Sequence, residues 1–292
     1  MFHGSLVALV TPMDERGAID FTAVDTLIDW HLHSGTDALV IAGTTGESAT
    51  LTDDEKIQLI RHVVRTVRER IPVIAGTGAV ATAHAVTLTK AAMQVGADAC
   101  LLMTPAYVKP TQEGLFQHYQ QIASQVAIPQ ILYNVPSRTA CDLLPETVAR
   151  LAELANVVGI KEATGDLERL KAIHTLCGNK IDIYSGDDIT ACEWMLNGAK
   201  GVISVTANVV PQAMSQLCQA ALAGQSQVAL EANEQLIVLH YALFAEPNPI
   251  PTKWALAQMN KIPTGIRLPL TPLSTAQQAT VSNALRQLDL LT

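Results

Sequence analysis

Eight short apolar runs, each followed by a longer segment of helical period, limit most strongly what this chain can fold into. The runs cover residues 5–10, 38–42, 73–76, 99–103, 130–134, 157–161, 182–185 and 201–205. Helical periodicity fills the gaps at 21–33, 53–69, 82–95, 112–126, 145–154, 167–176, 189–196 and 211–223. Apolar residues recur without alternation in the runs, as expected of strands covered on both faces. Pro72 and Pro129 open two of them, where a missing amide donor costs least. Eight such units predict an α/β fold of the closed parallel (β/α)8 TIM barrel type rather than an open doubly wound sheet. After Gly224 the strand signals stop and helical patterns continue at 227–243, 252–259 and 275–290. The expected division is therefore a catalytic barrel over 1–224 and a C-terminal helical appendage over 225–292, with a proline-rich elbow at 245–251.

A chain of 292 residues can bury a large core. Its formal net charge is −8, and its basic residues are scattered, which argues against nucleic acid or an anionic membrane as partner and for a small ligand. Five cysteines form no C-x-x-C pair, as expected of reduced thiols in a cytoplasmic protein without a zinc site. The first residues lack a signal-peptide pattern, so the mature chain is expected to start at Met1, and no run reaches the length of a transmembrane helix.

In a barrel of this kind, chemistry sits at the C-terminal ends of the strands, so the residues just after each run are the ones to collect. The second run leads into Gly43-Thr44-Thr45-Gly46-Glu47-Ser48 and the fourth into Thr104-Pro105-Ala106-Tyr107. The fifth ends in Tyr133-Asn134 and leads on to Thr139, Lys161 ends the sixth, Gly186-Asp187 come just after the seventh, and the eighth ends near Ser204. Lys161 closes an apolar stretch that leaves an ammonium little water. Burial there favours the free amine, which can attack a carbonyl and form a Schiff base. Tyr133, one βα unit earlier and so next door in the barrel, can carry the protons such chemistry moves. Arg138 can grip a carboxylate through two parallel hydrogen bonds, and the 43–46 loop offers hydroxyls and amides to another. Each residue also has an ordinary alternative: a lysine reaching solvent, a rim tyrosine, a surface ion pair, a turn with the Thr52/Glu55 capping box behind it.

Gly76-Thr77-Gly78-Ala79-Val80-Ala81 fits the G-x-G-x-x-A dinucleotide fingerprint, but the acidic residue at the required distance, Asp98, precedes the next run instead of ending it. The loop reads as barrel rim.

Three segments together, 43–48, 133–139 and Gly159-Ile160-Lys161-Glu162-Ala163-Thr164-Gly165, resemble the signatures of the dihydrodipicolinate synthase and N-acetylneuraminate lyase family. The likeness extends over essentially the whole chain, and 202–208 and 247–253 resemble its synthase branch in particular. The resemblance implies condensation of pyruvate with L-aspartate 4-semialdehyde, in the diaminopimelate and lysine route, with no organic cofactor. It implies that Lys161 forms the Schiff base, that Tyr133 relays protons through Thr44, and that Tyr107 completes the relay from the neighbouring subunit. It further implies that Thr44 and Thr45 hold the pyruvate carboxylate, Arg138 the semialdehyde carboxylate, and that backbone at Gly186 and Ile203 lines the pyruvate pocket. The implied assembly is a homotetramer, a dimer of dimers.

The chain departs from the family's lysine-inhibited pattern at Val80, His84 and Ala106, where an amide, a carboxylate and an aromatic are typical. Asp53 and Lys56 also stand where the regulated enterobacterial type has histidines. Loss of a charge-assisted bond to the inhibitor's ammonium is worth about 1.5 to 3 kcal/mol, so weak or absent feedback by lysine is expected unless Asp53 substitutes. Two rivals remain. A pyruvate-releasing aldolase acting on sialate or keto-deoxy-sugar acids would share Lys161 and Tyr133, and a noncatalytic keto-acid-binding barrel would share only the fold.

Overall fold

The computed structural model describes residues 1–291. Eight strands form one closed, wholly parallel barrel in chain order: β1 (Gly4–Ala8), β2 (Ala38–Ile41), β3 (Val73–Gly76), β4 (Ala99–Met103), β5 (Gln130–Asn134), β6 (Val157–Glu162), β7 (Asp182–Ser185) and β8 (Gly201–Ser204). The helices around it are α1 (Phe21–His33), α2 (Asp53–Val67), α3 (Thr82–Gln94), α4 (Gln112–Gln125), α5 (Pro136–Thr139), α6 (Pro145–Leu151), α7 (Leu167–Cys177), α8 (Asp188–Leu196) and α9 (Pro211–Leu222). Three more follow: α10 (Ser226–Ala242), which packs on α8, α9 and α12, then α11 (Ile250–Gln258) and α12 (Thr275–Gln287).

Alternation along each strand sorts the core into two layers. Leu6, Val40, Ile74, Leu101, Ile131, Tyr133, Tyr184 and Ile203 fill the barrel interior. Val7, Leu39, Val73, Leu102, Leu132, Ile160 and Val202 face outward under the helices. Both layers exclude water, which is why the strands read as unbroken apolar runs.

Where expected and observed boundaries differ, a side chain has replaced the ladder. The first run was expected to continue through Val10, but β1 stops at Ala8 because Asn208 takes over its end. The Asn208 amide donates to the Ala8 carbonyl at 2.8 Å and accepts from the Val10 N–H at 3.0 Å. At the end of β8 the N–H groups of Val205 and Thr206 donate to the Asp188 carboxylate at 2.8 and 3.0 Å, which turns the chain into a short 3-10 helix, Thr206–Asn208. Helix α5 has no counterpart among the expected elements. It is one turn, begun by Pro136 where a missing N–H is harmless. The elbow at 245–251 gives way to helix two residues earlier than expected, with Pro251 in the first turn of α11. The Thr52/Glu55 capping box forms as expected.

Candidate active site

β5 and β6 pair with Tyr133 opposite Lys161 and Asn134 opposite Glu162. The first pair therefore points into the barrel and the second outward, beneath the helices. Behind the strands, Asn134 Nδ2 donates to Glu162 Oε2 at 2.8 Å and to Asp142 Oδ1 at 2.8 Å, and Arg169 closes the set on Asp142 at 2.7 Å. This cross-brace fixes the register that puts the two inward residues side by side.

Lys161 Nζ lies 4.5 Å from the Tyr133 ring centroid. The residue is buried, and among the described residues its amine has no hydrogen-bond partner. Burial pulls its pKa down to about 8, the Asp188 carboxylate opposes this, and the Arg138 guanidinium adds to it. Burial pushes the Tyr133 phenol up from its ordinary value, against the Arg138 charge and a hydrogen bond with Thr44, so the phenol is a proton carrier rather than a phenolate. Gly186 stands over the lysine stem: a Cβ there would come within 3.0 Å of Lys161 Cε and 2.7 Å of Ala163 Cβ. The glycine is required for Lys161 to extend toward the mouth.

These groups open into a cavity of about 410 Å³ at the C-terminal ends of the strands, lined also by Gly43, Thr44, Thr45, Arg138, Asp187 and Asn248. Thr45 is buried, and its Oγ1 accepts from Asn248 Nδ2 at 2.9 Å, so its own hydrogen remains for a ligand. Arg138 Nη2 donates to the Asn248 carbonyl at 3.2 Å, which holds the guanidinium across the rim. A narrow cleft continues from Thr44 and Tyr133 to Ser48 and Lys56.

Six of the eight expected site residues, Lys161, Tyr133, Thr44, Thr45, Arg138 and Gly186, line the cavity. Ile203 lies below the wall, fully buried among the barrel's inner side chains, so any contact with a small acid runs through the backbone of β8. Tyr107 is outside the cavity. It is 90% exposed on a loop with a left-handed backbone (φ 74°), tied to α5 by its N–H to the Thr139 carbonyl at 3.1 Å. In a single chain its phenol meets neither Tyr133 nor Thr44.

Sequence reasoning missed the residues that hold the site from behind. Asp188, buried, accepts from Ser204 Oγ at 2.5 Å as well as from the two amides at the end of β8, and it is the carboxylate that acts on Lys161. Asn248 holds Thr45, and Glu47, buried at the end of the same loop, is ion-paired with buried Lys253 on α11. Glu47 also accepts from the Arg267 N–H at 3.1 Å. The apparent dinucleotide fingerprint has a packing cause. A Cβ at Gly76 would strike the Ala42 carbonyl and one at Gly78 the Met103 backbone, while Asp98 receives the Val73 N–H at the opposite end of the barrel. Among the described residues no cluster of three or more potential metal ligands occurs, and no helix is long and apolar enough to cross a membrane.

Comparison with known proteins gives one answer. The model of the dihydrodipicolinate synthetase family matches residues 1–288. The 4-hydroxy-tetrahydrodipicolinate synthase of Pseudomonas aeruginosa is 59% identical over 291 residues, covering 100% of each chain. That of Thioalkalivibrio sulfidiphilus is 58% identical over 285 residues, 98% of this chain and 97% of the relative. Among solved structures, the chloride-inhibited dihydrodipicolinate synthase of Acinetobacter baumannii in complex with pyruvate superposes with a TM-score of 0.99 at 52% identity, over 100% of both chains.

Proposed function

The chain belongs to the dihydrodipicolinate synthetase family, and from that premise we propose that Lys161, Tyr133, Thr44 and Tyr107 carry its reaction while Thr45, Arg138, Gly186 and Ile203 hold the substrates. The enzyme is a lyase that condenses pyruvate in the route to diaminopimelate and lysine. The second substrate is L-aspartate 4-semialdehyde.

The observation that carries the assignment is the solitary amine of Lys161, buried, unpartnered and 4.5 Å from a phenol ring. With a pKa of about 8, roughly a quarter of it is uncharged at pH 7.5, against about one part in a thousand for an ordinary lysine. The free amine attacks the keto carbon of pyruvate, whose carboxylate lies on the Thr44-Thr45 loop. Tyr133 gives a proton to the departing hydroxyl, water leaves, and the imine forms. Loss of a methyl proton gives the enamine, whose carbon adds to the aldehyde of the second substrate while Tyr133 protonates the new alkoxide. The substrate's own amine then displaces Lys161 and closes the ring. Thr44 carries protons between Tyr133 and the cleft toward Ser48. Arg138, fixed across the rim by Asn248, takes the semialdehyde carboxylate.

Exposure of Tyr107 on a left-handed loop supports an assembly in which a second copy covers it, as one of the pairings within a homotetramer would. Phe244, Pro247 and Asn248 all line the cavity, so residues 225–292 act with the 1–224 barrel as one catalytic unit. Five buried free thiols support a reducing, cytoplasmic setting. Lysine at millimolar concentration is expected to leave the initial rate within twofold, because Asp53 is already held by His84 at 2.7 Å and by Lys56 at 3.6 Å. Half-inhibition well below one millimolar would reverse that reading.

The direct test is incubation with pyruvate followed by borohydride. A stable adduct on Lys161, together with consumption of L-aspartate 4-semialdehyde in a coupled assay, is expected. An adduct without such consumption would favour a pyruvate-releasing aldolase, and no adduct at all would leave a binding barrel.

A further inference from the structure

The second substrate carries two charges at one carbon, and the assignments so far account for one of them. Its carboxylate meets Arg138; its α-ammonium has no stated partner. The cavity wall contains two cations, Lys161 and Arg138, and a single carboxylate, that of Asp187. We propose that Asp187 receives the α-ammonium of the semialdehyde, so that the mouth reads an amino-acid aldehyde through Arg138 on one side and Asp187 on the other. The inference rests on the reading above and specifies its substrate recognition.

Local geometry suits the role. Asp187 caps the N-terminus of α8, and both bonds it makes there, from the Thr190 N–H at 3.1 Å and the Thr190 hydroxyl at 2.8 Å, fall on Oδ2. Among the described residues Oδ1 has no donor, so one carboxylate oxygen is fixed and the other is available to a ligand. Residue 165 on the facing loop is glycine with φ 71°, and a Cβ there would come within 3.3 Å of Oδ2, so no side chain covers the carboxylate from that side. Asp187 directly follows Gly186, which lies against the Lys161 stem, and it lines the same cavity as Lys161 and Arg138. Burial and the neighbouring Asp188 charge push the Asp187 carboxyl up, and the Thr190 hydrogen bonds and the more distant His240 only partly offset this. A cationic ligand supplies the partner the site lacks. Helix capping alone does not account for an unpaired oxygen in a cavity wall, since a serine or asparagine would cap α8 as well.

The test compares L-aspartate 4-semialdehyde with succinate semialdehyde, which keeps the aldehyde and the carboxylate but lacks the amine. In the wild-type enzyme loaded with pyruvate, the des-amino compound is expected to compete at least tenfold more weakly than the natural aldehyde binds. Asp187→Asn retains the cap and removes the charge. It should lose tenfold or more in kcat/KM for L-aspartate 4-semialdehyde, while the inhibition constant of succinate semialdehyde stays within twofold and the borohydride adduct on Lys161 forms at the wild-type rate. Asp187→Ser, a second capping residue, should behave alike and guards against a folding artefact. Equal losses toward both aldehydes, or no loss toward either, would overturn the proposal. Failure of the wild-type enzyme to consume the semialdehyde despite a normal pyruvate adduct would instead remove the reaction on which the proposal stands.

Discussion

Two lysines in this molecule are buried to nearly the same degree, Lys161 at 5% exposure and Lys253 at 4%, yet their surroundings make them chemically different groups. Lys253 lies in an ion pair with Glu47, whose second oxygen accepts from the Arg267 N–H. Among the described residues Lys161 has no hydrogen-bond partner, only a phenol face and a carboxylate, Asp188, whose oxygens are already taken by Ser204 and two backbone amides. Burial pushes both ammoniums down in pKa. At Lys253 a carboxylate in direct contact opposes the push, and at Lys161 the opposing charge acts from a distance. The proposed role of Lys161 as nucleophile therefore rests on its missing counterion rather than on burial itself.

The largest consequence is functional and separates the two sites at once. Lys161→Met should reduce the coupled rate by at least about 10³-fold, because no other amine stands at the mouth to form the imine. The same substitution should not destabilise the fold. At pH 7 the native protein carries a buried charge at Lys161 without direct compensation, a penalty present in full below about pH 8 and relieved as pH rises from there toward the unfolded value near 10.5. Thermal melts of Lys161→Met at pH 7 are expected at or above the wild-type midpoint, with any gain shrinking by pH 10. A clear drop at pH 7 would mean that Lys161 is held by structural contacts after all.

Lys253→Met is the converse experiment. It leaves Glu47 charged and buried, which should cost about 3–5 kcal/mol in denaturant unfolding, and Glu47→Gln in the same chain should return most of that. Activity should also suffer, because the Glu47 end of the 43–48 loop and the Asn248 contact to Thr45 both depend on where α11 sits. The expected signature is a raised KM for pyruvate with a smaller change in kcat. If Lys253→Met were as stable as the wild type, the contrast between paired and unpaired buried lysines would collapse.

The same contrast explains what could be read from the chain unaided. The eight strands were legible because a strand covered on both faces leaves a continuous apolar run. Lys161, Tyr133 and Arg138 were legible because each follows such a run at the end where barrel chemistry gathers. The Thr52/Glu55 cap was legible because its spacing is local. Glu47 and Lys253 lie 206 residues apart and Thr45 and Asn248 lie 203 apart, and nothing in either local pattern announces its mate. Asp188 was hidden for a related reason. An aspartate at the start of a helix reads as a capping residue, and its contacts to β8 exist only once the barrel has closed. Tyr107 is a different case: its implied role needs a second copy of the chain.

The smallest effect expected is also the most specific to Lys161. Two charged groups bear on its amine: Asp188 from α8, which favours the ammonium, and Arg138 from α5, which disfavours it. Asp188→Asn keeps an acceptor for the Val205 and Thr206 amides and removes the negative charge, so the amine should become easier to deprotonate. The acid limb of kcat/KM for pyruvate, which reports the free enzyme, should then move below its wild-type position near pH 8 by less than about one pH unit. Arg138→Gln should move the same limb upward while the borohydride adduct still forms, because the guanidinium acts on Lys161 only through its charge. A response to both substitutions would tie the limb to Lys161, the group that both charges reach. If only Arg138→Gln moved it, the titrating group would be Tyr133, on which Arg138 acts and Asp188 does not.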